Sequence, residues 1–306
     1  MGMVRRLLLL LINRLSRLPV VPKKIKLVGG ALLAIAVIGI FVYVLQHHTV
    51  ALLQPRGEIG YRQRQLMMYA AILAAIVIIP VYIMTAVIAI KYREDSKHPG
   101  KYTPNWDTNK KLEIIWWGIP CVIILILAVI TWQSSHALDP YKSLANNQKQ
   151  LNVQVIALDW KWLFIYPDQG VATINELDMP VDTAVHFDIT ADAPMNSFWI
   201  PQLGGQVYAM PGMSTVLNLR AGSIGTYRGA SANISGKGFS GMTFAARVKS
   251  SADFNNWVNT AKASPNYLSQ ASYDNLVAPS ENNPVAYYGS IDPTVYDTVV
   301  MKYMGH

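Results

Sequence analysis

Three long runs without a single charged side chain constrain the fold of this chain more than any other feature of its sequence. They cover residues 27–45, 66–90 and 114–132. A helix rises about 1.5 Å per residue, so each run is long enough to cross a hydrocarbon core of about 30 Å. Pro80 and Pro120 lie inside the second and third runs, and membrane helices tolerate proline better than soluble helices do. The pattern predicts a membrane-spanning hairpin made of the second and third runs, preceded by one further apolar segment.

The distribution of charge predicts how this hairpin is oriented. Residues 1–26 carry seven Lys and Arg and no acid, and the linker 91–111 carries six against three acids. Residues 134–306 are slightly acidic instead, with ten Lys and Arg against thirteen Asp and Glu. Because cytoplasmic loops carry an excess of Lys and Arg, we expect the linker to be cytoplasmic and residues 134–306 to be exported. The net charge of +8 therefore follows membrane topology, and no nucleic-acid partner is predicted.

The role of the first apolar segment stays open at this stage. Residues 1–48 combine a long basic stretch with an apolar run, and this combination is typical both of a cleaved signal sequence and of a retained signal anchor. The transmembrane hairpin is assigned to residues 49–133 in either case. The only cysteine, Cys121, excludes a disulfide framework and a Cys-x-x-Cys metal site within the chain.

After residue 134 the pattern changes to short runs in which apolar and polar residues alternate. These runs are 151–158, 171–175, 185–190, 197–200, 214–220 and 242–249. Many short strands at regular spacing predict an antiparallel β-sandwich or barrel, which we assign to residues 134–250. From Ser251 the pattern becomes helical, with Phe254, Trp257 and Val258 on one face and a second helix near 267–277. Residues 251–306 are therefore predicted to form a C-terminal helical extension.

Aromatic side chains are concentrated in one predicted strand of the sandwich. Trp160, Trp162 and Phe164 would share one face of that strand. Such a cluster indicates either packing in a core or contact with a membrane-embedded partner.

One acidic residue is a candidate for function. Glu113 stands at the start of the third apolar run, where it is either a helix N-terminal acid favoured by the macrodipole or part of an ion path into the membrane. Asp178, Asp182 and Asp188 are expected to be solvated residues of turns and strand edges. No serine has a neighbouring histidine to act as its base, so the sequence predicts no catalytic nucleophile.

Several separate stretches, in a fixed order along the chain, carry a resemblance to a known family. They are ALLQPRGEIG (51–60), KYR (91–93), YTPNW (102–106), TW (131–132), HALDP (136–140), DWKW (159–162), MNSFWIPQLG (195–204) and GFSGM (238–242). From about Ala51 to its end, the chain resembles subunit II of the haem-copper terminal oxidases, in the branch of the cytochrome bo-type ubiquinol oxidases. The resemblance implies a membrane-anchored protein with a two-helix transmembrane hairpin and an all-β, cupredoxin-like sandwich.

Another branch of the same family carries a metal centre whose ligands are missing from this chain. Cytochrome c oxidases of the family hold a binuclear copper centre in subunit II through two Cys, two His, a Met and a Glu carbonyl. The corresponding positions keep their spacing here but carry Asn196, Ser231, Asn233, Ser235, Phe239 and Met242. Copper in such a site requires thiolate and imidazole ligands, and Met242 is the only soft ligand left. We therefore expect this chain to bind no metal and Met242 to be a core residue.

By the same resemblance, the chain is expected to be subunit II of a proton-pumping ubiquinol oxidase. The complex would lie in a bacterial inner membrane, with the C-terminal domain in the periplasm, and would carry its haems and one copper in subunit I. The implied partners are subunit I, the smaller oxidase subunits, ubiquinol as substrate of the complex, and membrane lipid. In the family, an acid at the position of Glu113 lies at the cytoplasmic mouth of a proton path, and Trp160 and Trp162 are candidates for contact with another subunit.

One departure and one alternative accompany this expectation. The bo-type relatives mature as lipoproteins with a cysteine just after the signal, whereas His48 stands at about that position here, so we expect no lipid anchor. The alternative function is a stand-alone, membrane-anchored cupredoxin-like binding module without redox activity. A purified complex with haem absorbance would distinguish the two.

Overall fold

The computed structural model describes residues 50–92, 108–145 and 149–304, together with six helical positions between residues 32 and 43. The chain divides into two compact units, Met1–Val50 and Ala51–His306. Nearly all of the predicted signal or anchor, and most of the basic linker, lie outside the described residues. The second unit contains both helices of the hairpin and every strand of the exported part.

Two long helices form the predicted hairpin. Helix α1 spans Glu58–Lys91 and helix α2 spans Lys110–Ala137, and both are long and apolar enough to cross a membrane. Each helix extends past the apolar run that predicted it. At the start of α2 the cause is visible, because the Asn109 side chain accepts hydrogen bonds from the backbone N–H groups of Lys111 and Leu112, both at 3.2 Å. This cap satisfies donors that a helix start otherwise leaves free.

The exported part is a sandwich of two β-sheets. The six-stranded sheet contains, in spatial order, β12 (Ala286–Tyr288), β3 (Val171–Ile174), β2 (Lys161–Tyr166), β1 (Leu151–Leu158), β5 (Ala184–Ala191) and β8 (Thr215–Arg220). The five-stranded sheet contains, in spatial order, β4 (Glu176–Pro180), β10 (Thr243–Lys249), β9 (Gly225–Ser231), β6 (Asn196–Trp199) and β7 (Val207–Ala209). The prediction of a sandwich built from short strands is confirmed.

The prediction that the sandwich is antiparallel is wrong at two strand pairs. Strand β1 runs parallel to β5, and β4 runs parallel to β10. In each pair the two strands are separated in the chain by other strands rather than joined by a tight hairpin. A long connection leaves the direction of the second strand free, whereas a two-residue turn forces it to reverse.

The C-terminal part covers one face of the sandwich and also contributes to it. Its elements are α3 (Ser251–Lys262), β11 (Tyr267–Leu268), α4 (Gln270–Leu276), β12, β13 (Ser290–Ile291) and α5 (Val295–Met301). The two predicted helices are present, with Phe254, Trp257 and Val258 buried on one face of α3. However, β12 pairs with β3 and so belongs to the six-stranded sheet. An extension made of helices alone is therefore not what the structure contains.

Strands at the centre of the six-stranded sheet are buried on both faces. Their inner side chains join the core between the two sheets, while their outer side chains pack against the C-terminal part. The outer cluster consists of Ile156, Leu158, Leu163, Ile165, Ala172, Ile174, Leu268, Tyr273, Val295, Tyr296, Val299 and Val300. This double burial explains why β2 is apolar at nearly every position. Removing the shared area from water attaches the C-terminal part to the sheet.

The chain just before α1 is bonded to the sandwich. The backbone N–H of Arg56 donates to the carbonyl of Gln202 at 2.7 Å, and Gly57 forms a β-bridge with Ala221. A Cβ atom at position 57 would lie 2.6 Å from the carbonyl oxygen of Leu203. Only glycine permits so close an approach of two backbones.

The chain just after α2 is bonded to the sandwich as well. The side-chain amide of Asn218, on β8, donates to the carbonyl of Pro140 at 2.9 Å. The start of α1 and the end of α2 therefore lie on the sandwich side of the hairpin. The opposite ends of the two helices, which carry Lys91 and Lys110, lie on the far side of the span.

Candidate functional site

Three of the degenerate copper-ligand positions come together at the junction of β6 and β9. Asn196 opens β6, Ser231 closes β9, and the Ser231 hydroxyl donates to Oδ1 of Asn196 at 2.8 Å. Beside them, the Ser197 hydroxyl donates to Oδ1 of Asn233 at 2.8 Å, and Nδ2 of Asn196 donates to the carbonyl of Pro194 at 2.8 Å. Neutral hydroxyl and amide groups thus satisfy one another where the resemblance implies metal ligands.

The remaining positions of this set do not complete a set of ligands for a metal ion. Ser235 and Phe239 stand in the loop that joins β9 to β10, and Met242 lies buried in the core between the sheets, where the sequence predicted it. Hydroxyl and amide oxygens are poor substitutes for the thiolates and imidazoles that copper prefers. Among the residues that the structure describes, no group of three or more His, Cys, Asp and Glu could hold a metal ion. The donor set does not fit a copper centre.

Trp160 lies in the turn between β1 and β2, with a φ of 64°. The prediction that it shares a strand face with Trp162 and Phe164 is therefore wrong, because the strand begins only after it. The Trp160 ring packs against the β9–β10 loop, where a Cβ at Gly238 would lie 2.4 Å from Cδ2 of the indole and a Cβ at Gly236 would lie 3.0 Å from Cζ2. The glycines of this loop make room for an aromatic ring. Contact of Trp160 with another subunit stays a prediction.

Trp162 is enclosed in the core of the sandwich. Its side chain is 0% exposed and meets the rings of Phe198 and Phe244 edge-on, with centroids 5.5 and 5.8 Å apart. Such pairs favour the offset and edge-on geometries seen here. The prediction that Trp162 contacts another subunit is wrong, since no part of it reaches the surface, and the core-packing alternative holds.

Glu113 lies in the first turn of α2, on the end of the hairpin opposite to the sandwich. Its backbone N–H donates to the carbonyl of Asn109 at 3.0 Å, and its side chain is exposed. Within the described part of the chain its carboxyl makes no ion pair or side-chain hydrogen bond. Trp116 and Trp117, at the next turn, are also exposed, as is typical of an aromatic belt at a membrane–water interface. The geometry leaves this carboxyl open to water at the end of the hairpin far from the sandwich.

Two buried carboxyl groups were missed by sequence reasoning. Asp178 was expected to be solvated but is 0% exposed, and Glu176, two residues before it on β4, is 1% exposed. Their counterparts are on β10, where Nη1 of Arg247 lies 2.8 Å from Oε2 of Glu176 and Nζ of Lys249 lies 2.5 Å from Oδ1 of Asp178. The alternating acids of one strand match the alternating bases of the other. That signal is visible only once β4 and β10 are known to be neighbours.

A further buried acid holds the C-terminal end of the chain. Asp192 accepts hydrogen bonds from the hydroxyl of Tyr273 at 2.9 Å, from Nζ of Lys302 at 2.8 Å and from the hydroxyl of Tyr303 at 2.5 Å. Burial by itself would raise the pKa of Asp192, but the hydrogen bonds from Lys302, Tyr303 and Tyr273 together hold it below its ordinary value. Asp192 is thus an ionised anchor for the C-terminal part.

Comparison with known proteins agrees with these features. Residues 262–306 match the family model described as COX Aromatic Rich Motif. The cytochrome bo(3) ubiquinol oxidase subunit 2 of Pseudomonas aeruginosa is 48% identical over 257 residues, which cover 84% of this chain and 77% of that protein. The ubiquinol oxidase subunit 2 of Acetobacter aceti is 47% identical over 253 residues, which cover 82% of each. The quinol oxidase subunit 2 of Bacillus subtilis is 33% identical over 257 residues, with coverages of 84% and 77%.

Among solved structures, a similar chain is the periplasmic domain of subunit II of cytochrome oxidase from Bradyrhizobium japonicum. It is 24% identical, covers 40% of this chain and 96% of its own length, and superposes with a TM-score of 0.37. The resemblance drawn from the sequence is confirmed by the curated relatives. This chain, with its two apolar helices and its sandwich of two β-sheets, belongs to the family of ubiquinol oxidase subunit 2, the membrane-anchored subunits of an oxidoreductase complex.

Proposed function

We propose that this chain is subunit II of a proton-pumping ubiquinol oxidase of the aerobic respiratory chain, in a bacterial inner membrane. The complex oxidises ubiquinol and reduces oxygen to water, and its haems and single copper lie in subunit I. The observation that carries this proposal is the identity of 48% with a bo(3) ubiquinol oxidase subunit 2 over 84% of the chain. The neutral Asn196–Ser231 pair at the former ligand positions supports it.

The loop between β9 and β10 has a structural role in this proposal. Ser231 and Asn233 are hydrogen-bonded to Asn196 and Ser197 on β6, and Trp160 packs against the glycines of the loop, so the loop keeps its shape without a metal. Electrons from ubiquinol then enter subunit I directly, because hydroxyl and amide groups stand at the positions where a copper centre would need thiolates and imidazoles. The exported sandwich acts as a cover on the outer face of subunit I.

The proposed orientation has the sandwich in the periplasm and the basic linker in the cytoplasm. Two independent observations support it. The excess of Lys and Arg in residues 91–111 favours the cytoplasmic side for that linker. Hydrogen bonds of Arg56 before α1 and of Pro140 after α2 join both of these helix ends to the sandwich, so the hairpin must cross the membrane an even number of times.

Glu113 acts as the cytoplasmic mouth of a proton path in this proposal. Reduction of oxygen to water consumes protons, and those protons come from the cytoplasm. An exposed carboxyl at the end of α2 far from the sandwich can take a proton from bulk water. It then passes the proton inward to subunit I through ordered water.

The hairpin provides the contacts with the partners. Side chains along α1 and α2 are apolar and exposed in the isolated chain, and such surfaces require either lipid or other membrane helices as neighbours. We assign them to subunit I, to the smaller oxidase subunits and to membrane lipid.

Purification through a C-terminal tag tests the assembly directly. We expect the tagged chain to bring down a complex that shows haem absorbance and oxidises ubiquinol with consumption of oxygen. A stand-alone binding module would be recovered alone and colourless, and that outcome would contradict the proposal.

Reporter fusions test the orientation. A reporter that is active only in the cytoplasm is expected to work when fused after Ser96, within the basic linker, and to fail when fused after Tyr141, at the start of the exported part. A reporter active only after export serves as the control and should show the opposite pattern at both sites. Activity of the cytoplasmic reporter after Tyr141 alone would reverse the assigned topology.

A further inference from the structure

A groove lies between the two membrane helices at their sandwich end. Leu66 and Tyr69 of α1 and Ile130 and Ser134 of α2 line a cavity of about 510 Å³ there. Most of its wall is apolar, and it opens to the outside of the isolated hairpin. An apolar groove on a membrane helix pair needs a neighbour, which is either a lipid or part of another protein.

The groove becomes polar towards the sandwich. A smaller cavity of about 210 Å³ adjoins the first, and Leu66 and Tyr69 line both. The smaller cavity is lined in addition by Arg62 and Gln65 of α1 and by Gln133 of α2. The groove thus presents an apolar surface within the membrane and hydrogen-bond donors nearer to the sandwich. A phospholipid shows the same division, with acyl chains at one end and a phosphate at the other.

The polar end of the groove lies at the depth of lipid headgroups. Arg62 precedes the uncharged run of α1, which covers residues 66–90. That run rises about 37 Å, which is enough to cross a hydrocarbon core of about 30 Å. Arg62 stands one helical turn before it, about 6 Å further out. Its guanidinium group therefore lies just outside the hydrocarbon core, where the phosphate groups of the lipids are found.

The positive charge at this end of α1 does not follow from membrane topology. Residues 51–65 carry three Arg against one acid, Glu58, although the proposed orientation puts them on the outer side. Lys and Arg are normally enriched on the cytoplasmic side instead. The excess of arginine at the outer end of the hairpin therefore has another cause. Attraction of a negatively charged group at the membrane surface is the cause that charge complementarity supplies.

Glu58 does not compensate this charge completely. Its carboxylate is shared between two guanidinium groups, with Nη2 of Arg62 2.9 Å from Oε1 and Nη1 of Arg220 3.6 Å from Oε2. One carboxylate neutralises only one of these two cations. The Arg62 side chain is 48% exposed, so its ion pair with Glu58 contributes little. A guanidinium group also has five N–H donors in a planar fork that matches a phosphate.

We propose that this groove binds an anionic phospholipid of the outer leaflet, with its phosphate at Arg62 and an acyl chain along Leu66 and Ile130. Gln65 and Gln133 donate further hydrogen bonds to oxygens of the headgroup. A helix of another subunit would fill the apolar part of the groove equally well, but the uncompensated charge at its polar end favours the lipid. This inference rests on the proposed function, because it needs the hairpin to span the membrane with the sandwich outside.

Photo-crosslinking of the purified complex in detergent tests the site. The probe is phosphatidylglycerol with a photoactivatable diazirine in one acyl chain, added below saturation. We expect cross-links on the peptides that contain residues 66–70 and 127–134. Arg62→Gln should reduce these cross-links by about tenfold, because it removes a charge-assisted hydrogen bond to the phosphate. The same probe built on phosphatidylcholine, which has a phosphate but no net charge, should label the groove more weakly.

Arg64→Gln is the matched control. Arg64 is exposed and stands two residues after Arg62, which places it on nearly the opposite side of the helix. Its substitution removes the same charge and should leave the cross-links unchanged. A second variant, Ala70→Phe, puts a ring into the apolar part of the groove, which Ala70 lines. It should reduce labelling while Arg62 is intact, and it tests the site even if Arg62→Gln does not assemble.

Three results would overturn the proposal. Cross-links on the groove that persist unchanged in the Arg62→Gln complex would mean that bulk lipid covers it without a specific site. Absence of these cross-links from a wild-type complex with normal haem content would mean that another subunit fills the groove. Displacement of the probe by inorganic phosphate would mean a site for a free anion. Recovery of the chain alone and without haem would contradict the proposed function instead, and cross-linking of that chain would still test the groove.

Discussion

Replacing Glu113 with alanine or glutamine is expected to slow ubiquinol oxidation by the purified complex by at least about tenfold. The reason is the position of the Glu113 carboxyl group. The carboxyl is exposed in the first turn of α2, at the end of the hairpin far from the sandwich. Neither replacement can accept a proton from water and release it again. Assembly and haem content should stay normal, because within the described residues the side chain holds no other element in place.

Two matched variants separate this role from a general effect of charge. Glu113→Asp keeps a carboxyl within about one methylene of the original position, so we expect it to retain much of the activity. Asp139→Asn removes an exposed carboxyl at the opposite end of α2, and we expect it to leave turnover unchanged. Oxygen consumption with excess ubiquinol, normalised to haem content, measures all of these variants.

The result also decides between the two interpretations of Glu113. If the Glu113→Ala complex turned over like the wild type, the residue would be a helix N-terminal acid that interacts favourably with the macrodipole and nothing more. If the variant failed to assemble, Glu113→Gln would still test the proton path. Glutamine has nearly the same shape and lacks only the exchangeable charge.

The sequence predicted those parts of the fold that depend on local patterns. Uncharged runs predicted both helices of the hairpin, and alternation predicted six of the strands, because burial of one face imposes a period of two. The apolar face of α3, with Phe254, Trp257 and Val258, followed from helical spacing in the same way. Each of these signals is contained within one element.

Features that depend on contacts between distant segments could not be predicted in this way. From its residue type and neighbours in the sequence, Asp178 is expected to be solvated at a strand edge. Its burial depends on the nearby charge of Lys249, which is close to it only because β4 and β10 are paired. Trp160 fits the alternation of β2, yet the tight turn before that strand holds it. Strand β12 carries too few residues to show a period, and its place is set by pairing with β3.

In the candidate site, too, the sequence predicted one part, and only the contacts in the structure show the rest. The positions of Asn196, Ser231 and Asn233 were identified by their spacing in a family pattern, and the structure brings them together. What spacing could not reveal is that these side chains bond to one another and to Ser197. These four side chains therefore satisfy one another, whereas the buried hydroxyl of Ser235 in the same loop has no hydrogen-bond partner among the described residues, and both facts bear directly on whether the loop can be returned to copper binding.

Restoring the family's ligands is expected to turn the exported domain into a copper protein. The substitutions are Asn196→His, Ser231→Cys, Asn233→Glu, Ser235→Cys and Phe239→His, with Met242 already in place. The side chains of Asn196 and Ser231 meet at 2.8 Å, so an imidazole and a thiolate at these positions start within reach of one ion. Metal then replaces the hydrogen bonds that the substitutions remove, and thiolate and imidazole supply the soft ligands that copper prefers.

Metal analysis and near-infrared absorbance of the purified complex measure the outcome. The wild type should contain only the copper of subunit I. The variant with all five substitutions should gain two further coppers together with a near-infrared band. The matched control keeps Ser235 and carries the other four substitutions, so it has one thiolate and cannot form a pair of sulfur bridges. We expect it to show no such band. Extra copper in the wild type would mean that hydroxyl and amide groups suffice as ligands, which contradicts the conclusion that this donor set does not fit a copper centre. A five-fold variant that folds but takes up no copper would mean that the loop has lost the geometry of the family's site along with its ligands.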